Sequence, residues 1–346
     1  MQHYKRYPKM QPADCVKLLY QSEFAGGHLI SDRAKSLERL SVEYDALSTP
    51  SVPEQAFEDI GGGFLRLNLR GLKSLGITLK TANGFFVESA SSAAGNITSF
   101  ERKLGVLLQC CRQGKLPFAP RQVERYIQSL KDLGYPPVSH SEEYRAAYAP
   151  AYRVVKSVFR DFIEAFRRID GLLKEKDTVC VAIDGNSGAG KSALASLLFG
   201  VYDCNVFHMD DFFLRPEQRT YERLQQPGEY IDHERFAQEV IAGIKSGRQF
   251  AYRRYDCKKL SLGEEILAEP NKLNIIEGSY SMHPKLIGFY DLKIFMQTGG
   301  QEQINRIRAR SGEALLKRFI DEWIPLEEKY FGSFGVKEKS DIVFGA

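Results

Sequence analysis

Nowhere in its 346 residues does the chain have the ~18 consecutive apolar residues that a membrane-spanning helix needs. Its start, MQHYKRYPKM, is basic but leads into QPADCVKLL without the apolar core of an export signal. The six cysteines (Cys15, Cys110, Cys111, Cys180, Cys204 and Cys257) contain no CxxC pair and no histidine at metal-ligand spacing. Neither a zinc site nor a disulfide framework is indicated, and reduced thiols in the cytosol are expected. Charge of one sign is also missing. The formal net charge is +4, and residues 1–150 carry 19 basic against 15 acidic side chains, too even a balance for a phosphate-tracking surface. Internal repeats and low-complexity tracts are absent. These gaps predict a cytoplasmic protein with neither a membrane nor a nucleic acid as partner.

What the chain does have is GNSGAGKS at 185–192, a complete GxxxxGK[ST] phosphate-binding loop. An apolar run, Val179, Cys180, Val181, Ala182 and Ile183, precedes it, and the helix-like ALASLL follows. The flanks matter as much as the loop. A buried strand fixes the turn, glycines let backbone N–H groups approach phosphate, and a helix N-terminus faces the anion. The expected nucleotide contacts are Gly185, Asn186, Ser187, Gly188, Ala189, Gly190, Lys191, Ser192 and Ala193. Lys191 is expected to reach the β- and γ-phosphates, and the Ser192 hydroxyl a magnesium ion.

The length favours two domains. Residues 1–150 read as a mostly helical α+β domain. Helical patterning covers 11–47, a Ser/Pro/Glu-rich loop 48–62, and further helices follow Asn96 and Pro120. Phe64 to Leu69 alternates as a half-buried strand does, and Phe85, Phe86 and Val87 suggest another. Gly61, Gly62 and Gly63 read as a turn. Val154, Val155, Val158, Phe159, Phe162, Ile163 and Phe166 have helical spacing, which predicts a connecting helix over 151–176. From 177 to 346 strands alternate with helices, the signature of an α/β domain whose parallel sheet is covered by helices.

Two strands of that half end in acids. FHMDDFF over 207–213 places Asp210 and Asp211 after a short apolar strand, and IIEGSY over 275–280 places Glu277 after another. Ligands of open α/β sheets bind at the carboxyl ends of strands, so both acids are expected in the crevice of the phosphate loop. Asp210 suits orientation of an acceptor hydroxyl and receipt of its proton, and Asp210 and Glu277 are candidate magnesium ligands. Arg306 and Arg310, four apart on one helix face, are candidates for a clamp on the transferring phosphoryl group. His208 is expected to pack, and His233 and His283, which show no metal-ligand spacing, to be surface or satisfied structural histidines.

Taken in order, the phosphate loop, MDDFF, YIDHERF at 230–236, FAYRRYD at 250–256, IEG at 276–278 and the arginine-rich segment resemble the uridine kinase and phosphoribulokinase family. The resemblance spans about half the chain. It implies a P-loop kinase fold that uses ATP with magnesium to phosphorylate a hydroxyl of a small-molecule acceptor, a nucleoside first of all. By resemblance Asp210 is the catalytic acid, Glu277 the magnesium-associated carboxylate, Asp232 an acceptor-site acid, and Tyr252, with Tyr255 and Asp256, the base-contacting stretch. Uridine kinases carry a histidine shortly after that tyrosine, whereas Tyr255, Asp256 and Cys257 stand here. Two alternatives stay open: another small hydroxyl acceptor such as pantothenate or a sugar phosphate, and a regulatory ATP-binding protein. For the N-terminal domain the expected tasks are completing the acceptor pocket or forming a homo-oligomer interface.

Overall fold

In the computed structural model residues 1–26, 32–47, 55–91 and 95–345 are described. The chain divides into two units, Met1–Ile163 and Glu164–Ala346. Part of the predicted loop, 48–54, lies outside the described residues.

The first unit packs helices around a small antiparallel sheet. Its strands are β1 (Phe57–Gly61), β2 (Phe64–Asn68) and β3 (Tyr152–Lys156), in the order β1-β2-β3. The β1/β2 turn uses the three glycines, all at positive φ, and a Cβ on Gly62 would lie 2.0 Å from the Ser22 carbonyl oxygen. The helices include Pro12–Phe24, Arg33–Asp45, Leu79–Ser91, Ile97–Arg112 and Pro120–Asp132. One core cluster joins Val16, Phe100, Leu104, Val123 and Tyr144.

Three expectations are corrected here. Phe85 and Phe86 lie in the helix Leu79–Ser91, because Ala82, Phe85, Phe86 and Ser89 recur with helical period and are all buried. Residues 57–61, read as loop, form β1. Val154 and Val155 do not begin a connecting helix. They are buried in β3, where Val155 faces Leu65 of β2, and the long helix starts only at Ile163–Glu175. β-branched valines fit a pleated strand as well as a helix face, and long-range pairing with β2 decides between the two.

The second unit is built on β4 (Val179–Gly185), β5 (Asn205–His208), β8 (Leu273–Glu277), β9 (Leu292–Met296) and β10 (Ile342–Phe344), with β6 (Phe250–Asp256) and β7 (Ser261–Ala268) as a separate antiparallel hairpin that the sequence pattern did not announce. The five-stranded sheet has the order β10-β9-β4-β8-β5, and every neighbouring pair is parallel. All seven residues of β4 and all five of β8 are buried, as a sheet covered on both faces requires. β8 and β9 flank β4 on opposite sides, so the chain reverses its winding direction at β4. In such sheets the ligand crevice is expected at this point, outside the carboxyl ends of the strands. No helix among the described residues is long and apolar enough to cross a membrane.

Candidate active site

The phosphate loop leaves β4 at Gly185 and ends on the helix Lys191–Val201. The end of β9 presses against its start: Asn186 N–H donates to the Met296 carbonyl at 3.1 Å, and a Cβ on Gly185 (φ 137°) would stand 1.8 Å from that oxygen. Gly188 and Gly190 also have positive φ, which turns the chain into a concavity that side chains with Cβ atoms resist. Lys191 and Ser192 open the helix, so their N–H groups have no intrahelical acceptor and suit an anion. The Lys191 side chain is buried and donates to the carbonyls of Gly185 at 2.7 Å and Asn186 at 3.0 Å and to Ser279 Oγ at 3.2 Å.

The parallel register brings the acids alongside. Ile183 of β4 pairs with Glu277, and Glu277 with His208 of β5, so three strand ends line one edge of the crevice. Ser192 Oγ lies 3.2 Å from each Glu277 carboxylate oxygen. His208 does more than pack: its Nδ1 meets Glu277 Oε1 at 2.5 Å, and that hydrogen bond raises the imidazole pKa. Oxygen donors of this kind, a hydroxyl beside a carboxylate, fit a hard divalent cation.

Asp210 follows β5 in a short 3₁₀ turn, Met209–Phe212. Its side chain meets solvent, yet the surrounding protein partly desolvates it, and this raises its carboxyl above the ordinary value. Lys191 opposes the rise, while Glu277, Asp211 and Glu327 add to it. Asp210 has no hydrogen-bond partner among the described residues, whereas Asp211 pairs with Arg254 Nε at 3.1 Å. Of the two adjacent acids, Asp210 is the one available to a ligand.

The arginines separate. Arg306, on the helix Gly300–Arg318, reaches the loop and donates to the Gly188 carbonyl at 3.3 Å, with Glu302 holding its Nε at 2.8 Å. Arg310 does not join it. Its guanidinium sits over the Phe319 ring at 5.7 Å and touches Ser311, just before Gly312 breaks the helix (φ 76°, ψ 170°). A four-residue helical spacing puts two side chains on one face, but the reach to the loop belongs to the one nearer it.

The predicted acceptor residues are occupied with structure in this conformation. Asp232 is 1% exposed, caps the helix His233–Phe236 by accepting from Arg235 N–H at 3.0 Å, and holds Gln218 Nε2 at 2.8 Å. Tyr252 packs edge-on to Phe207 with ring centroids 5.4 Å apart. Tyr255 is equally buried and its hydroxyl accepts from Arg219 at 3.2 Å. Asp256 accepts the N–H groups of Lys259 and Lys258 in the β6/β7 turn, which hold its carboxyl below the usual range. A helix cap holds Asp232, Arg219 holds the Tyr255 hydroxyl, the Tyr252 ring packs in the core, and one oxygen of Asp256 holds the turn.

Sequence reasoning missed three groups that build the site. Asp184, the residue before the loop, is fully buried, and burial pushes its carboxyl up to about 6. It accepts from the N–H groups of Gly185 (2.7 Å), Tyr280 (3.2 Å) and Met282 (2.9 Å) and from the Tyr330 hydroxyl (2.9 Å). It thereby ties the phosphate loop to the segment after Glu277, where Tyr280 is held at φ 74°. Ser279 and Glu327 complete the crevice, joined by a 2.6 Å hydrogen bond. The acid at 184 was visible inside the strand as a polar residue among apolar ones; nothing local marked Glu327.

Glu229, His233 and His283 also gather in the interior, with ligand atoms within 4.8 Å of one another. The imidazoles stack at 4.0 Å and 17°, which leaves their in-plane lone pairs nearly parallel rather than convergent, and Lys285 Nζ already neutralises Glu229 at 2.6 Å. One ring nitrogen of each histidine, Nδ1 of His233 and Nε2 of His283, is buried without a hydrogen-bond partner.

A helix-flanked parallel sheet of five strands, with a phosphate loop after its central strand, is a P-loop α/β fold. No protein-family model matches the chain. Among solved structures it is similar to one described as a "possible uridine kinase" from Bacillus stearothermophilus, at 21% identity and a TM-score of 0.39, over 52% of this chain and 99% of that one. It is also similar to one described as a "putative fructose transport system kinase" from Silicibacter sp., at 20% identity and a TM-score of 0.38, over 50% of this chain and 95% of that one. The N-terminal region is not matched.

Proposed function

We propose that the second unit moves the terminal phosphoryl group of ATP to a hydroxyl of a small molecule. The observation that carries this reading is the strand register that sets Glu277 beside the phosphate loop and its Ser192 hydroxyl, with Asp210, which has no hydrogen-bond partner among the described residues, two residues beyond the neighbouring strand end His208. In the transfer, the acceptor oxygen forms a bond to the γ-phosphorus as the bond to the β,γ-bridging oxygen breaks, and ADP leaves. Asp210 orients the acceptor hydroxyl and receives its proton late in the step. The loop N–H groups and Lys191 hold the phosphates, and Arg306 supplies positive charge beside the loop. Ser192 and Glu277, with Asp210 adjacent, are the residues that would hold magnesium, whose chemistry is to neutralise charge on the phosphate oxygens.

The finer reading is a nucleoside acceptor, supported by the order of motifs along the chain. Asp232 and the Tyr255 hydroxyl already have protein partners in this conformation, so a nucleoside that uses them displaces Gln218 or Arg219. An acceptor panel of nucleosides, pantothenate and sugar phosphates, assayed with Mg-ATP for ADP release, tests both levels. Turnover with nucleosides alone supports the finer reading, turnover with another acceptor leaves only the general one, and no acceptor-dependent release overturns both.

A further inference from the structure

Ser187 is a phosphate-loop residue whose backbone N–H is taken by an acid. That N–H donates to Glu327 Oε2 at 2.9 Å, and the Ser187 hydroxyl donates to Oε1 at 2.6 Å. Glu327 comes from the distant helix Ile324–Phe334 and is 3% exposed, and it accepts the Ser279 hydroxyl as well. Three hydrogen bonds compensate a buried carboxylate, so this is a built contact rather than a surface encounter.

The location gives the contact meaning. Ser279 also receives a hydrogen bond from Lys191 Nζ, so one hydroxyl links the loop ammonium to Glu327. In a phosphate loop that ammonium attends the β- and γ-phosphates. Glu327 is therefore one hydroxyl away from the ammonium that attends those phosphates, and it occupies a backbone donor of the loop itself. Two anions do not share one N–H without cost: unit charges a few ångströms apart repel strongly wherever water is partly excluded.

Resting on the ATP-binding reading above, we propose that Glu327 is a positioning residue of the phosphate loop, holding the Ser187 N–H in competition with the terminal phosphate. A nucleoside triphosphate displaces the carboxylate, and a nucleoside diphosphate, which lacks the competing group, leaves it in place. Glu327 thereby sets how strongly the loop favours one over the other.

The test is calorimetric titration of the full chain with Mg-ATP and Mg-ADP. Glu327→Gln keeps the size and an accepting oxygen but removes the charge. It is expected to tighten ATP binding about tenfold while ADP binding changes by less than about twofold. Ser187→Ala removes only the hydroxyl contact, leaves the helix untouched, and is expected to move the ratio in the same direction by less. An unchanged ATP-to-ADP ratio in both variants, or equal weakening of both nucleotides, overturns the proposal and leaves Glu327 a simple brace. If the wild-type protein binds neither nucleotide, the ATP-binding reading itself fails, an outcome distinct from the first two.

Discussion

Ser192 Oγ stands 3.2 Å from both carboxylate oxygens of Glu277, a residue 85 positions later in the chain. The two meet because β4 and β8 pair in parallel register and the helix after the loop begins beside the end of β8. Replacing either Ser192 by Ala or Glu277 by Gln removes one side of this oxygen pair. The expected result is a magnesium requirement raised about 10–100-fold, read from the dependence of ADP formation on magnesium at fixed ATP. Fold stability should change little for Ser192→Ala, which separates loss of a ligand from loss of structure.

The acidity of Asp210 fixes a pH prediction. It must be ionised to receive a proton, and desolvation holds its carboxyl above the ordinary value. Activity is therefore expected to fall, as pH decreases, at a pH above the usual aspartate range of about 4. A rate profile whose acidic limb lies at or below that range would contradict the assignment. Since Lys191 counters the rise, Lys191→Met should move any residual limb upward.

Much of this crevice was legible in the sequence. The glycines of 185–190, the apolar run before them and the helix after them specify the loop locally, and a short strand ending in Asp210 or Glu277 is equally local. Parallel alternation then places those ends together. What was not legible is decided by distant partners. Val154 and Val155 read as helix until β2 pairs with them, and Glu327 lies in a segment with no motif. For Asp232 and Tyr252 the motif context points to ligand contact, and the structure adds what the sequence did not show, a helix start and an aromatic cluster that engage their side chains in this conformation.

Gly185 is a point where chemistry and fold meet. With φ at 137° and only 1.8 Å between a built Cβ and the Met296 oxygen, Gly185→Ala forces the end of β4 from β9. Destabilisation of about 3 kcal/mol is expected in denaturant unfolding, through overpacking and backbone strain together. Gly188→Ala, with 3.3 Å to the nearest side-chain carbon, should cost less.

In the first unit Asp14 is fully buried. Burial alone would raise its pKa, but hydrogen bonds from His140 and Ser141, with the Gln11 N–H, outweigh it and bring the carboxyl down to about 2. A depressed folded-state value means that its contribution is present above the unfolded value near 4 and is lost as pH falls through the folded one. Asp14→Asn should therefore be less stable than wild type at neutral pH. The gap should narrow by about 2 kcal/mol between about pH 4 and about pH 2, followed by denaturant titration at each pH.

The most direct test of phosphoryl transfer is to follow the label of γ-labelled ATP in the wild-type protein and in Asp210→Asn, with magnesium and the best acceptor of the panel. Label is expected to move from ATP to the acceptor hydroxyl, Asp210→Asn to slow this by about 10²–10⁴-fold, and ATP affinity to stay nearly unchanged. Label that stays in ATP although the nucleotide binds, or transfer at equal rates in both proteins, would contradict the proposed transfer.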